Sequence, residues 1–126
     1  MATVALVGIK GNLGYKIFPE LVKSDAIGKI HVLSRKKRHT EGGGNKTVDF
    51  QVNYHDAASL EKALEGVDVL INAMGTEGDF EVAKRNLIDA AAKKGVKIYF
   101  PRFFFYHVSA LTEVSGGLTL MLTHGL

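Results

Sequence analysis

The chain has 126 residues, 46% of them hydrophobic, which is enough for one domain with one real core. A formal net charge of +3 is mild beside the clustered basic excess of a nucleic-acid binder, and the lack of cysteine excludes disulfides and thiolate metal sites. The most apolar run, residues 98–111, is too short to span a bilayer and is interrupted by Pro101, Arg102 and His107, so no membrane segment is expected.

A strand pattern starts at Thr3, without the charged start and small-residue cleavage site of a signal peptide, so a cytoplasmic protein is expected. Val4-Ala5-Leu6-Val7 is a short continuous apolar run, as in a strand buried on both faces. A glycine-rich turn follows. Leu13, Ile17, Leu21 and Phe18, Val22 then recur at helical spacing, with Pro19 expected to remove one backbone bond and kink the helix. Residues 30–33 predict a second strand. Residues 35–45, basic and then glycine-rich, predict a flexible loop. A third strand is expected at 47–52, and a helix at 57–64 with Ser59 as a candidate cap and Gly66 as its stop. Residues 67–73 predict a fourth strand, and 80–94 a helix with Val82, Leu87, Ile88 and Ala91 on one face. Residues 96–100 predict a fifth strand. This alternation implies an α/β fold: a Rossmann-type parallel sheet of about five strands, order 3-2-1-4-5, with right-handed crossovers and helices on both faces.

The glycines Gly8, Gly11 and Gly14 form G-x-x-G-x-x-G, a variant of the dinucleotide fingerprint placed between a strand and a helix. Such glycines permit a sharp turn, a close approach of backbone to pyrophosphate, and tight packing of helix on sheet. The helix start offers N–H groups and a positive dipole end to phosphate. Lys10, inside the loop, could add positive charge. A tight turn that holds no ligand would use the same glycines. An NAD site wants an acid about 20 residues beyond the motif, on the ribose 2′-hydroxyl. Here Ser34-Arg35-Lys36-Lys37-Arg38 occupies that place. A guanidinium attracts a 2′-phosphate where a carboxylate would repel it, which favours NADP(H) over NAD(H). The same residues also read as a solvated basic loop or a nuclear-localisation run.

Several stretches together resemble the NmrA-like and isoflavone-reductase-like family of atypical short-chain dehydrogenases. They are residues 7–14, Val32-Leu33-Ser34-Arg35, residues 52–56 with Ser59-Leu60 and residues 63–68, residues 84–91, and Gly95 to Pro101. The resemblance runs over residues 3–101. It implies a Rossmann fold, NADPH, and reduction of small aromatic or phenolic substrates; some members of the family instead sense NADP and regulate transcription factors. By position, Gly8, Gly11, Asn12, Leu13 and Gly14 would bind the pyrophosphate, with Lys10 a candidate contact from its place in the loop. Arg35, helped by Lys36, would hold the 2′-phosphate. Ala73, Met74 and Gly75, after Asn72, would border the cofactor.

Beyond Pro101 the resemblance fails. The family usually has Ser-Glu-Phe-Gly where Arg102-Phe103-Phe104-Phe105 stands, no lysine follows Lys97, and no Tyr-x-x-x-Lys pair exists. A tyrosine or lysine of lowered pKa is the natural proton donor to a developing alkoxide, and no replacement is evident, so no catalytic residue is assigned. Residues 1–101 are therefore read as an NAD(P)-binding domain and 102–126 as a divergent or truncated tail. The expectation is a cofactor-binding domain that is truncated and inactive alone. Two alternatives stay open: a non-catalytic NADP-sensing interaction module, and a reductase completed by oligomerisation. The open sheet edge and the aromatic run 103–106 could attract a protein partner or a second copy.

Overall fold

Alternation along the first strand sets the two faces of the sheet. In β1 (Ala2–Val7), Val4 and Leu6 point to one side and Ala5 and Val7 to the other, and all four are buried. A strand apolar on both sides must be covered on both sides, and it is. The structure is a computed structural model and describes residues 1–11, 13–74 and 80–100. The remaining elements are α1 (Gly14–Lys23), β2 (Ile27–Ser34), a single 3₁₀ turn (Gly44–Lys46), β3 (Thr47–Gln51), α2 (Ala57–Ala63), β4 (Val69–Asn72), α3 (Phe80–Lys93) and β5 (Ile98–Phe100). The five strands form one parallel sheet in the order β3-β2-β1-β4-β5, as the sequence predicts.

One core lies between the sheet and α1, where Phe18 and Leu21 pack on Val4, Leu6, Ile30 and Val32. The other lies under α2 and α3, where Leu60, Ala63, Leu87 and Ala91 pack on Ala5, Val7, Leu33 and Leu70. Pro19 lies inside α1, and the helix runs on through it to Lys23. The expected face of α3 is partly wrong. Leu87 and Ala91 are buried, but Val82 is 47% exposed and Ile88 36%, and the small residues Ala83 and Ala90 complete the buried face. The cap of α2 also differs. Asp56, not Ser59, accepts the Ala58 N–H, at 3.1 Å, while the Ser59 hydroxyl closes the preceding turn against the backbone of Asn53 and Asp56.

The stretch predicted as a flexible loop between β2 and β3 is anchored at several points. Both carboxylate oxygens of Asp49 accept hydrogen bonds from Thr40, one from its N–H at 2.9 Å and one from its hydroxyl. Lys46 donates to the Val22 and Ser24 carbonyls at 2.7 and 2.9 Å and so satisfies the C-terminal end of α1. Gly43 is buried so close to Thr47 and Phe18 that no side chain would fit. Among the described residues, no helix is long and apolar enough to cross a membrane, and no cluster of three or more metal-ligating side chains occurs.

Candidate functional site

All five strands run the same way, so their carboxyl ends share one edge of the sheet. β1 lies between β2 and β4, with Val7 opposite Leu33 on one side and Asn72 on the other. The strand order reverses between β1 and β4. In open α/β sheets the crevice at such a reversal is where ligands bind.

Gly8 leaves β1 with φ +87°, a left-handed conformation that side chains other than glycine rarely adopt. A Cβ there would also lie 2.7 Å from the Ala73 carbonyl group and the Met74 nitrogen. The turn therefore needs glycine for two separate reasons. The Gly11 N–H donates to the Gly8 carbonyl at 3.0 Å, and a Cβ on Gly14 would overlap that carbonyl. Leu13 ends the turn in helical conformation, and its carbonyl accepts the Lys16 and Ile17 N–H groups at 3.0 and 2.9 Å. Its side chain packs onto the α1-side core, so it offers only its backbone to the turn. No side chain caps α1, and the Leu13 and Gly14 amides have no acceptor among the described residues.

The facing wall is the exit of β4. The Ala73 N–H donates to the Val7 carbonyl at 2.8 Å, tying the two exits together. Asn72 is fully buried, and both ends of its amide are engaged. Its Nδ2 donates to the Tyr99 hydroxyl at 3.1 Å, and its Oδ1 accepts the Met74 N–H at 3.1 Å. Burial pushes the Tyr99 phenol pKa upward, opposed by the hydrogen bond from Asn72.

One strand over, the end of β2 presents Arg35 and Lys36, both exposed. The Ser34 hydroxyl donates to the Lys36 carbonyl at 2.8 Å, which sets the turn that carries them. Tyr54 follows β3 and is buried. Burial pushes its phenol up to about 12, with the Arg35 charge acting in the opposite direction. Asn86 of α3 donates to the Tyr54 carbonyl at 2.7 Å and holds the segment after β3 in place.

The structure thus brings Gly8, Gly11, Leu13, Gly14, Ala73 and Met74 together, puts exposed Lys10 on the turn itself, and sets Arg35 and Lys36 on the neighbouring strand end. Asn12 and Gly75 lie outside the described residues. Sequence reasoning gave no role to Tyr54, the neighbour of Arg35, although it stands in the 52–56 stretch that carried part of the family resemblance. A glycine turn whose Leu13 and Gly14 amides have no acceptor among the described residues, bordered by cations, suits a phosphate-bearing ligand.

Comparison with known proteins points the same way. The NAD(P)H-binding family model matches residues 8–101. The chain is 30% identical over 96 residues to quinone oxidoreductase 2 of Escherichia coli (strain K12), covering 75% of this chain and 34% of that protein. A crystal structure of the NADPH-dependent quinone oxidoreductase of Escherichia coli complexed with NADPH superposes with a TM-score of 0.65 at 28% identity, over 76% of this chain and 35% of that one. Triphenylmethane reductase of Citrobacter sp., complexed with NADP(H), superposes with a TM-score of 0.64 at 25% identity, over 77% and 35% of the two chains. The chain spans about a third of the length of these relatives.

Proposed function

The chain belongs to the NAD(P)H-binding family, and on that premise we propose that it is the NADP(H)-holding part of an oxidoreductase-like protein. The resemblance to NmrA-like atypical short-chain dehydrogenases is borne out by its quinone oxidoreductase and triphenylmethane reductase relatives. In this reading the pyrophosphate lies on the turn from Gly8 to Gly14, with Asn12 and Lys10 beside it. The cofactor's length runs past Ala73, Met74 and Gly75. Arg35, with Lys36, holds the 2′-phosphate. Bound NADPH supplies a hydride. The chain's own residues position it: the turn excludes side chains from the phosphates, the uncapped start of α1 offers amides, and the cations neutralise the third phosphate.

The observation that carries the reading is the pairing of two features. The Gly8 turn is pressed against Ala73 and Met74, and a guanidinium rather than a carboxylate stands at the end of β2. Arg35→Asp tests it directly. A charge-assisted contact is worth about 1.5–3 kcal/mol, so NADPH affinity should fall roughly 10–100-fold in a calorimetric titration while NADH affinity changes little. Equal loss for both nucleotides would remove Arg35 from the 2′-phosphate.

The same reading assigns residues 1–101 to the cofactor domain and 102–126 to a separate tail, in a cytoplasmic protein. It expects binding without turnover by this chain alone, since the sequence holds no Tyr-x-x-x-Lys pair. Quinones, triphenylmethane dyes and phenolic enones are the acceptors to try, and NADPH oxidation at 340 nm with any of them would overturn the inactive reading.

A further inference from the structure

The loop between β2 and β3 holds a cation for which neither the glycine turn nor Arg35 accounts. Arg38 is half-buried, and its Nε is sealed from solvent with no hydrogen-bond partner. Buried donors without acceptors are rare in folded proteins, and each asks for a reason. No carboxylate within ion-pair distance of Arg38 occurs among the described residues. Asp49 on β3, the carboxylate that anchors this loop, has both its oxygens engaged by Thr40.

That engagement has a geometric consequence. Thr40 is buried and held at its N–H and its hydroxyl together, so this part of the loop cannot swing about a single bond. Two residues earlier in the chain, Arg38 lines an open groove of about 420 Å³, with Thr40 beside it in the same wall. Ile9 of the glycine turn, Tyr15 of the first turn of α1, and Phe18 also line it, as does the exposed residue Glu41. The groove thus opens beside the turn proposed for the pyrophosphate, and its loop wall carries the Arg38 guanidinium, which has no carboxylate within ion-pair distance among the described residues. Had Asp49 paired with Arg38, the charge would be neutralised. Spending the carboxylate on Thr40 fixes the loop and leaves Arg38 without an ion pair among the described residues.

We infer that Asp49 is a positioning residue for selection of the 2′-phosphorylated dinucleotide: acting through Thr40, it holds Arg38 against the glycine turn as a second guanidinium for the 2′-phosphate. This rests on the cofactor reading above. Arg38 touches the ligand; Asp49 and Thr40 act through it.

The test uses the full chain and four probes: NADPH, NADH, 2′-AMP and 5′-AMP, each titrated calorimetrically against wild type, Asp49→Asn, Thr40→Val, Thr40→Ser and Arg38→Gln. Asp49→Asn, Thr40→Val and Arg38→Gln should each weaken NADPH and 2′-AMP about tenfold and leave NADH and 5′-AMP within about twofold. Thr40→Ser, which keeps both donors, should restore the wild-type ratio. A general loss of structure would lower all four affinities together, so the NADPH-to-NADH ratio separates positioning from folding. Unchanged NADPH affinity in Asp49→Asn, or equal loss of NADPH and NADH, overturns the inference. If Arg35→Asp abolishes selectivity while Asp49→Asn and Arg38→Gln leave it intact, the inference falls and the cofactor reading stands. If the folded wild type binds neither dinucleotide, the cofactor reading itself falls.

Discussion

Replacing Gly8 by alanine separates two reasons for one residue. The first is the sign of φ: at +87°, a residue with a Cβ is strained by about 1–2 kcal/mol. The second is space. The new methyl would sit 2.7 Å from the Ala73 carbonyl carbon and oxygen and the Met74 nitrogen. All three are backbone atoms tied down by the Ala73–Val7 and Met74–Asn72 hydrogen bonds, so relief requires moving the exit of β4, at about 1–3 kcal/mol for a forced shift of this kind. The sum, about 2–5 kcal/mol, is a large fraction of the roughly 5–15 kcal/mol that holds a domain folded. Gly66 is the control. Its φ is +76°, but a Cβ there meets nothing within 4 Å. Gly66→Ala should therefore cost only the conformational part, and the smaller entropy of the unfolded alanine chain enters both variants equally. Urea unfolding of the two variants against wild type gives the difference, expected to be about 1–3 kcal/mol. NADPH titration should find binding lost or much weakened in Gly8→Ala and kept in Gly66→Ala. If Gly8→Ala is no less stable than Gly66→Ala, the close approach of the two strand exits is wrong, and the site built on it is wrong too.

Tyr54 should make the fold sensitive to alkali. Its folded pKa of about 12 stands above the unfolded value of 10.0, so its contribution is whole below about pH 10 and is lost as pH rises through 12. The amount is roughly 2–3 kcal/mol, and urea unfolding across that window should show a shallower decline for Tyr54→Phe than for wild type. Asp56→Ala removes the cap of α2 and should cost about 1 kcal/mol, read as a lower urea midpoint with an unchanged slope. Asn72→Ala leaves the buried Tyr99 hydroxyl and the partly buried Met74 N–H without their partner, at about 1–3 kcal/mol for a group left unpaired out of solvent. It should weaken NADPH and NADH binding alike, because the displaced segment borders the turn proposed for the pyrophosphate and not the proposed 2′-phosphate contact; a selective loss of NADPH would contradict that placement.

The parts of this molecule that could be read from sequence are those governed by neighbours a few positions away. Val4-Ala5-Leu6-Val7 announces a strand buried on both faces because every residue in it is apolar. The glycine turn shows because three glycines fall between such a run and a helical period. β2 is longer than its apolar stretch because its ladder with β1 continues to Ile27, and backbone pairing does not require apolar side chains. The face of α3 was misjudged because alanine gives little hydrophobic signal: Ala83 and Ala90 are buried where the larger Val82 and Ile88 are exposed. The loop after β2 was illegible for a different reason. Its glycines and lysines describe a mobile segment, while the residues that fix it, Asp49 on β3 and the carbonyls of Val22 and Ser24 at the C-terminal end of α1, lie in other elements. Nothing local in Arg35 to Asn45 encodes those partners. Tyr54 is similar: its apolar surroundings and its charged neighbour exist only after β2, β3 and α3 have met.

The division of labour across the sheet follows from where these anchors are. The turn after β1 is held by core atoms: Ala73 bonded to Val7, and Met74 bonded to an Asn72 that is itself bonded to Tyr99. Its backbone is fixed by these bonds, so on the proposed reading what it offers phosphate is preorganised and little weakened by salt. The cations after β2 stand outside the core. Arg35 and Lys36 are exposed, and charges in solvent are screened within about 8 Å at physiological ionic strength. A turn of backbone amides cannot distinguish two dinucleotides that share a pyrophosphate. Side-chain cations one strand over can distinguish them, but only through contacts that salt weakens. In the proposed reading these two kinds of recognition fall on the adjacent ends of β1 and β2, close enough for one ligand to meet both and separate enough for a substitution in one to leave the other standing.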